Sequence, residues 1–361
     1  MSHDNPPRRF PKCMPTDWTP PVPAWSAALP SDGQLIVAYY GVQSSLGADV
    51  DEVFEFRSWL AGSLEPSAEG VHCEYAEYVD AQGYYTWLCI GYWSNKTDYE
   101  RWLASHAYQQ YWISDARLSS RVGVFQETLV FASECFEMLR SDSQERVGAS
   151  RVCPVLHGPI REHNYWGGTR DRIAASAYDL LAAGSGKLVS DAAEGGTLGR
   201  RVCVQIPDNL AVIRSGQAFG DLEGLEKDIY FGEIEPALRA GMDYLRDYPA
   251  QTHCFSCRLL CETDASGNPL SRTFGLAHFA SLKHLEDWAR SHPTHLRIFD
   301  GFIAMATELG GNLKLRLWHE VAVLSQQNQR FEYTNCHSST GLLAQAESSL
   351  VSNSKKPGAQ A

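Results

Sequence analysis

Apolar and polar positions along the chain fall into two series of elements, one in each half. In the first half a strand-like run (34–43) precedes a stretch with helical spacing (48–64). Two further strand-like runs follow, 71–79 and 84–93, around Asp80-Ala-Gln-Gly83, which supplies hairpin turn chemistry. A second helix (97–105) and a last strand (122–130) complete the series. The second half repeats it: a strand (209–217), a long helical pattern (222–246), and a hairpin of 253–263 with 271–279 around Asp264-Ala-Ser-Gly267. A helix over 282–290 carries Leu282, Leu285 and Trp288 at helical spacing, and a strand over 315–323 closes the unit. The order βαββαβ is a ferredoxin-like half. The expected fold class is therefore α+β: duplicated ferredoxin-like halves whose sheets join into a β-barrel of the dimeric α+β barrel kind, flanked by helices.

Residue matches support the duplication. Glu100, Trp102, Ser105 and His106 align without a gap on Glu286, Trp288, Ser291 and His292. Collinear with them, Tyr39-Tyr-Gly-Val-Gln43 pairs with Ile213-Arg-Ser-Gly-Gln217, and Phe125-Gln-Glu127 with Trp318-His-Glu320. A repeat of this kind decides the fold assignment. The chain then divides into a proline-rich extended arm (1–30), a first half (31–130), an insertion (131–208) with a helical segment near 171–182, and a second half (209–324). A C-terminal segment (325–361) turns polar and is expected to be disordered after about residue 345.

Composition narrows the function. The 361 residues are 44% hydrophobic and include 31 Lys+Arg against 43 Asp+Glu, a net charge of −12. With no basic cluster, neither nucleic acid nor an anionic membrane is an expected partner. No run approaches the roughly 18 apolar residues of a membrane span, and the first residues lack an apolar signal core, so a cytoplasmic location is expected. The ten scattered cysteines read as free thiols. Cys254, Cys257 and Cys261 carry a Cys-x-x-Cys spacing, but they lie in a strand without a fourth ligand and read as coincidence.

The chemistry concentrates in the second half. His319 shares the face of Leu315, Leu317, Val321 and Val323, an apolar and inward face by alternation. It is either a core histidine or an imidazole whose proton is useful in a dry pocket. The first half carries Gln126 at the corresponding position, which favours chemistry. His292 recurs as His106 and reads as scaffold, whereas His295 answers to Gln109. One unshared imidazole is too few for a tetrahedral zinc site and enough for an axial haem ligand. Without Cys-x-x-Cys-His, any haem is held non-covalently. Ser215, aligned with Gly41, is a neutral hydroxyl donor or a backbone-bonded serine. In the insertion, His163-Asn-Tyr-Trp-Gly-Gly-Thr-Arg-Asp-Arg172 offers either an ion-pair cluster or an arginine facing a pocket.

These residues carry a resemblance. Tyr165-Trp-Gly-Gly-Thr-Arg-Asp-Arg172, Ile213-Arg-Ser-Gly-Gln217, Ser291-His-Pro-Thr-His-Leu-Arg-Ile-Phe299, Leu317-Trp-His-Glu-Val321 and Phe331-Glu-Tyr-Thr-Asn-Cys-His337 resemble the haem-containing aldoxime dehydratases, the group of alkylaldoxime and phenylacetaldoxime dehydratases. The stretches cover a small part of the chain, but their order runs from the insertion nearly to the end. The resemblance implies a haem b lyase, active in the ferrous form, that dehydrates R–CH=N–OH to a nitrile, acting as a homodimer on a small-molecule aldoxime. It implies His295 as the proximal haem ligand, His319 as the distal acid–base residue, and Ser215 as the group that hydrogen-bonds the oxime hydroxyl. It also implies as catalytic Arg172, the second arginine of Arg-Asp-Arg, and a further acidic position, Glu137 in Phe136-Glu-Met-Leu139. The chain departs from the family at Thr169, where methionine is common, and at Met138, where threonine is. The alternatives are another haem-barrel enzyme, of the peroxidase or chlorite-dismutase kind, and a non-catalytic haem-binding protein.

Overall fold

A computed structural model describes residues 8–29, 33–64, 70–153, 155–192 and 196–349. The first half runs β1 (Gln34–Ser45), α1 (Val50–Ser63), β2 (Val71–Val79), β3 (Tyr84–Trp93), α2 (Lys96–Ala104), α3 (His106–Trp112) and β4 (Gly123–Ala132). The intervening stretch contributes β5 (Phe136–Arg140), α4 (Gly168–Arg172) and β6 (Arg201–Gln205). The second half runs β7 (Leu210–Ala218), α5 (Gly224–Ile229), α6 (Glu235–Asp247), β8 (Cys254–Thr263), β9 (Pro269–Phe279), α7 (Leu282–Ser291), α8 (Pro293–Glu308) and β10 (Arg316–Leu324), and β11 (Arg330–Thr334) follows. A single π-turn, Tyr230–Ile234, joins α5 to α6. The architecture is a mixed α+β one around a large sheet.

Local chemistry explains the boundaries. At the β2–β3 turn Asp80 Oδ1 accepts from the amides of Gln82 and Tyr84, both at 2.9 Å. Gly83 there has φ +83°, open to glycine at little cost. Asp264 and Gly267 repeat the device at the β8–β9 turn. Pro293 opens α8, where its missing N–H costs nothing.

The main sheet orders its strands as 347–348, 189–190, β6, β11, β4, β1, β3, β2, β8, β9, β7, β10 and β5. Its centre is mirror-symmetric in order: β4-β1-β3-β2 meets β8-β9-β7-β10, with the halves joined through Cys261↔Glu77 and Thr263↔Tyr75. One face of both halves forms a single core that includes Tyr39, Ile90 and Phe125 with Val212, Phe274 and Trp318. The opposite face of the first half packs on α1–α3, and that of the second half on α6 and α7.

Two expectations need correction. The face carrying His319 is covered, but not from inside: Val321 and Val323 pack with Leu245, Leu282 and Leu285 under the helices, while Trp318, Ala322 and Leu324 enter the shared core. Alternation says which residues share a face and not which of two covered faces it is. The helix expected near 171–182 is instead α4, ending at Arg172, and one 3₁₀ turn, Ala174–Ala177. Ile173 is extended and Leu181 has φ +51°, so the chain cannot continue as a helix. Ser26–Ala28 of the N-terminal arm pairs with Val155–His157. The polar tail is folded as far as Glu347–Ser348, and 350–361 lie outside the described residues. All ten cysteines are free thiols, with Cys254 and Cys257 buried and Cys261 exposed. No helix among the described residues is long and apolar enough to cross a membrane.

Candidate functional site

A cavity of about 1220 Å³ lies between the helix-facing side of the second-half sheet and the helices, and Arg172, Ser215, His295 and His319 line it. β7 and β10 set two of these side chains directly opposite each other, because Ser215 and His319 are register partners. Ser215 is exposed to the cavity and its hydroxyl makes no hydrogen bond among the described residues. Across the cavity, His295 sits on the first turn of α8 with the Trp288 ring edge-on at 4.7 Å.

His319 Nε2 stands 2.9 Å from Glu137 Oε1 and 3.0 Å from Arg172 Nη2. Arg172 grips the same carboxylate with Nε (2.8 Å) and Nη2 (3.0 Å). Its Nη1 donates to the Glu162 carbonyl, and Thr169 Oγ1 lies 3.3 Å from Nη2. Glu137 does not line the cavity; it is 3% exposed and backs the two groups that do. Burial alone would raise its carboxyl, but Arg172 and then His319 outweigh it and hold it at about 2. A carboxylate only accepts and a guanidinium only donates, so Nε2 of His319 satisfies one neighbour at a time. With Nε2–H on Glu137, Nδ1 is the nitrogen left to give or take a proton.

The two arginines of the Arg-Asp-Arg stretch diverge. Arg172 meets Glu137 and His319, whereas Arg170 forms a bidentate pair with Glu286 of α7 (3.0 and 2.7 Å). His292 is structural: its Nδ1 accepts from the Thr294 amide at 3.3 Å, and its ring packs on Tyr244.

The match between halves shifts by one residue at β1. Tyr40, not Gly41, pairs with Gln126 as Ser215 pairs with His319; Gly41 faces Phe125 as Gly216 faces Trp318. A Cβ on Gly41 would sit 2.1 Å from the Phe125 ring, and one on Gly216 2.2 Å from Trp318, so both glycines make room for an aromatic neighbour. Where the second half has Ser215 and a cavity, the first has the buried Tyr40 ring, its hydroxyl accepting from Trp102 Nε1 at 2.9 Å. Gln126 is likewise buried, bonded to Tyr108 and Thr128.

The cavity suits a large planar prosthetic group held by one nitrogen. Burial pushes the His295 imidazole down to about 4, with the Ala289 carbonyl opposing, so the ring is neutral and able to ligate. Its buried Nδ1 has no hydrogen-bond partner at normal geometry. α8 turns Ile298, Phe299 and Phe302 to the cavity, and of its residues only Met305 is buried. Such a half-buried apolar helix face is what a haem would cover. No group of three His, Cys, Asp or Glu among the described residues could hold a bare ion. Sequence reasoning missed Asp171 and the part played by residues 13–24, which line the cavity with Cys13, Trp18 and Val22; no spacing in an irregular proline-rich arm announces such contacts.

Comparison with known proteins places these features in context. A model of the family described as haem-containing dehydratase matches residues 38–342. An aliphatic aldoxime dehydratase of Rhodococcus erythropolis is 38% identical over 348 residues, covering 94% of this chain and 95% of that protein. A phenylacetaldoxime dehydratase of Bacillus sp. (strain OxB-1) is 30% identical over 335 residues, covering 92% and 94%. The crystal structure of an aldoxime dehydratase in complex with butyraldoxime superimposes with a TM-score of 0.88 at 36% identity, covering 95% of this chain and 94% of that one.

Proposed function

The chain belongs to the haem-containing dehydratases, and on that premise we propose that it is a haem-dependent aldoxime dehydratase, a lyase that converts R–CH=N–OH into R–C≡N and water. The observation that carries the reading is one cavity that places Ser215, His319 and Arg172 on its sheet side and a neutral His295 on its helix side.

His295, neutral and lining the cavity, would hold the haem iron through its imidazole. The bound ferrous haem supplies electron density that weakens the N–O bond. Ser215 hydrogen-bonds the oxime hydroxyl and holds it in line. Protonated His319 gives its Nδ1 proton to that oxygen, which leaves as water; the neutral ring then takes the proton from the oxime carbon. Arg172 and Glu137 fix the ring through Nε2 and keep a charged pair beside it while its own charge changes. Atoms balance: one proton is lent and one returned, and the products are a nitrile and water.

The finer architecture belongs to the same proposal. We read the halves as a duplicated ferredoxin-like unit, 31–130 and 209–324, with sheets curled into a barrel and an insertion, 131–208, that supplies Arg172. The mirror-symmetric strand order, the shared core and the equivalence of Tyr40/Gln126 with Ser215/His319 support this. The ten free thiols fit a cytoplasmic location, and the resemblance favours a homodimer. The functional test is anaerobic assay of dithionite-reduced, haem-loaded protein with butyraldoxime and with phenylacetaldoxime. Nitrile from at least one is expected; none from either would overturn the reading.

A further inference from the structure

The residue between the two arginines faces neither. Asp171 is 6% exposed, and its carboxylate gathers three donors: the Cys13 amide (2.9 Å), the Met14 amide (3.0 Å) and the Tyr165 hydroxyl (2.7 Å). The two amides belong to the N-terminal segment, which runs as a strap along the cavity wall. Further ties hold that segment to the loop before α4. Lys12 pairs with Glu162 (2.6 Å), Arg161 donates to the Trp18 carbonyl (2.6 Å), and Trp18 Nε1 donates to the His163 carbonyl (2.9 Å). The Trp18 ring stands edge-on to Tyr165 at 5.7 Å. At its other end the strap pairs with β5, where Trp25 and Arg140 exchange amide-to-carbonyl bonds of 2.9 and 2.8 Å. The strap therefore bridges α4, which supplies Arg172, and β5, which supplies Glu137.

Within α4 the three consecutive residues Arg170, Asp171 and Arg172 anchor to three different elements: α7, the strap and the Glu137–His319 pair. α4 is only five residues long and makes few backbone bonds of its own, so its placement depends on those side chains. Arg172 Nη1 is bonded to the Glu162 carbonyl, and Glu162 is itself tied to the strap.

We propose that Asp171 is a positioning residue of the site, whose carboxylate locks the N-terminal strap onto α4 and thereby fixes Arg172 against Glu137 and His319. The inference rests on the aldoxime dehydratase reading. A misplaced catalytic group costs turnover whatever the substrate carries at its far end, whereas a mere wall contact would change KM with substrate size.

The test compares Asp171→Asn, Asp171→Glu and Tyr165→Phe with the parent as haem-loaded, reduced protein. Three quantities are read: the Soret band, kcat and KM for butyraldoxime and phenylacetaldoxime, and the rate of tryptic cleavage after Lys12 by mass spectrometry. Asp171→Asn presents an amide that can accept from only one side, so it should keep the Soret band and speed cleavage after Lys12. It should also lower kcat for both oximes by on the order of 10- to 100-fold. Asp171→Glu should restore part of the loss, and Tyr165→Phe should show a smaller loss in the same direction. The inference is overturned if cleavage accelerates while kcat stays within about twofold of the parent, or if activity falls only in proportion to lost haem. If Asp171→Asn takes up no haem, Tyr165→Phe carries the test with the same two outcomes. No nitrile from the parent would overturn the dehydratase reading, and this inference with it.

Discussion

His319 Nε2 has a carboxylate at 2.9 Å, and the guanidinium that pairs with that carboxylate stands at 3.0 Å. The acid–base role proposed for His319 leaves its Nε2–H on that carboxylate while Nδ1 gains and loses a proton. Glu137 makes this arrangement pH-sensitive. Its carboxyl is held at about 2, below the ordinary value of 4.5. A depressed acid contributes stability that is present above its unfolded value and lost as pH falls toward the folded one. Glu137→Gln should therefore lower stability at pH 7 by about 3–5 kcal/mol, leaving Arg172 buried without its anion. In urea titrations the gap to the parent should close between about pH 4.5 and pH 2; a gap independent of pH would contradict the ion pair. For His295→Ala the expectation is spectroscopic: loss of the haem Soret band from purified protein while circular dichroism stays that of the parent. At this scale the sequence was informative where a residue type stood out against its counterpart, as His295 does against Gln109 and His319 against Gln126. Glu137 and Arg172 were reachable only through the resemblance, since nothing in their spacing says that residues 35 apart will share a bond. Asp171 was hidden because two of its three partners are backbone amides, which any sequence offers.

Elements carried most of what alternation and turn chemistry could announce. The hairpin runs 71–79 and 84–93 match β2 and β3, since Asp80 and Gly83 fix the turn between them. The register of β1 against β4 was not readable, and the similarity of Tyr39-Tyr-Gly-Val-Gln43 to Ile213-Arg-Ser-Gly-Gln217 misled by one residue. A one-residue slip turns every side chain to the other face; the true partner of Ser215 is Tyr40, the ring that plugs the first half. That plug fills the first half where the second half has its cavity. Trp59, Trp102, Tyr108 and Trp112 fill, beside Tyr40, the space under α1–α3. Tyr40→Ala should cost about 3–5 kcal/mol, the scale of a large-to-small change in a packed core. It should leave the Soret band and the kcat of the folded protein those of the parent. A large fall in kcat with stability intact would contradict the division of labour between halves. The face of His319 was misassigned for a related reason: both sides of this sheet are covered, so apolar alternation cannot tell the shared core from the helix layer.

Across the whole molecule, ionic groups thread the core that the halves share. Arg214, 1% exposed, pairs with Glu74 (2.6 Å) and Glu262 (3.0 Å), and Arg258 pairs with Glu127 across the halves. Arg214 precedes Ser215 and Glu320 follows His319, so the cavity pair and this buried network sit on opposite faces of the same two strands. Removing Arg214 as Arg214→Met would leave the buried Glu74 without its arginine and Glu262 with Arg272 alone, and a loss of about 3–5 kcal/mol is expected. Thermal melts should show it, and an unchanged melting temperature would contradict the network's role. None of this was visible in composition, because a charge count cannot separate a core ion pair from a solvated one. The most direct test of the account is the turnover of His319→Ala, reduced and haem-loaded, against the parent with the same oxime. An unchanged Soret band and nitrile formation slower by roughly 10²- to 10⁴-fold, the contribution of a positioned acid–base group, are expected. Near-parental turnover with a normal haem spectrum would contradict it.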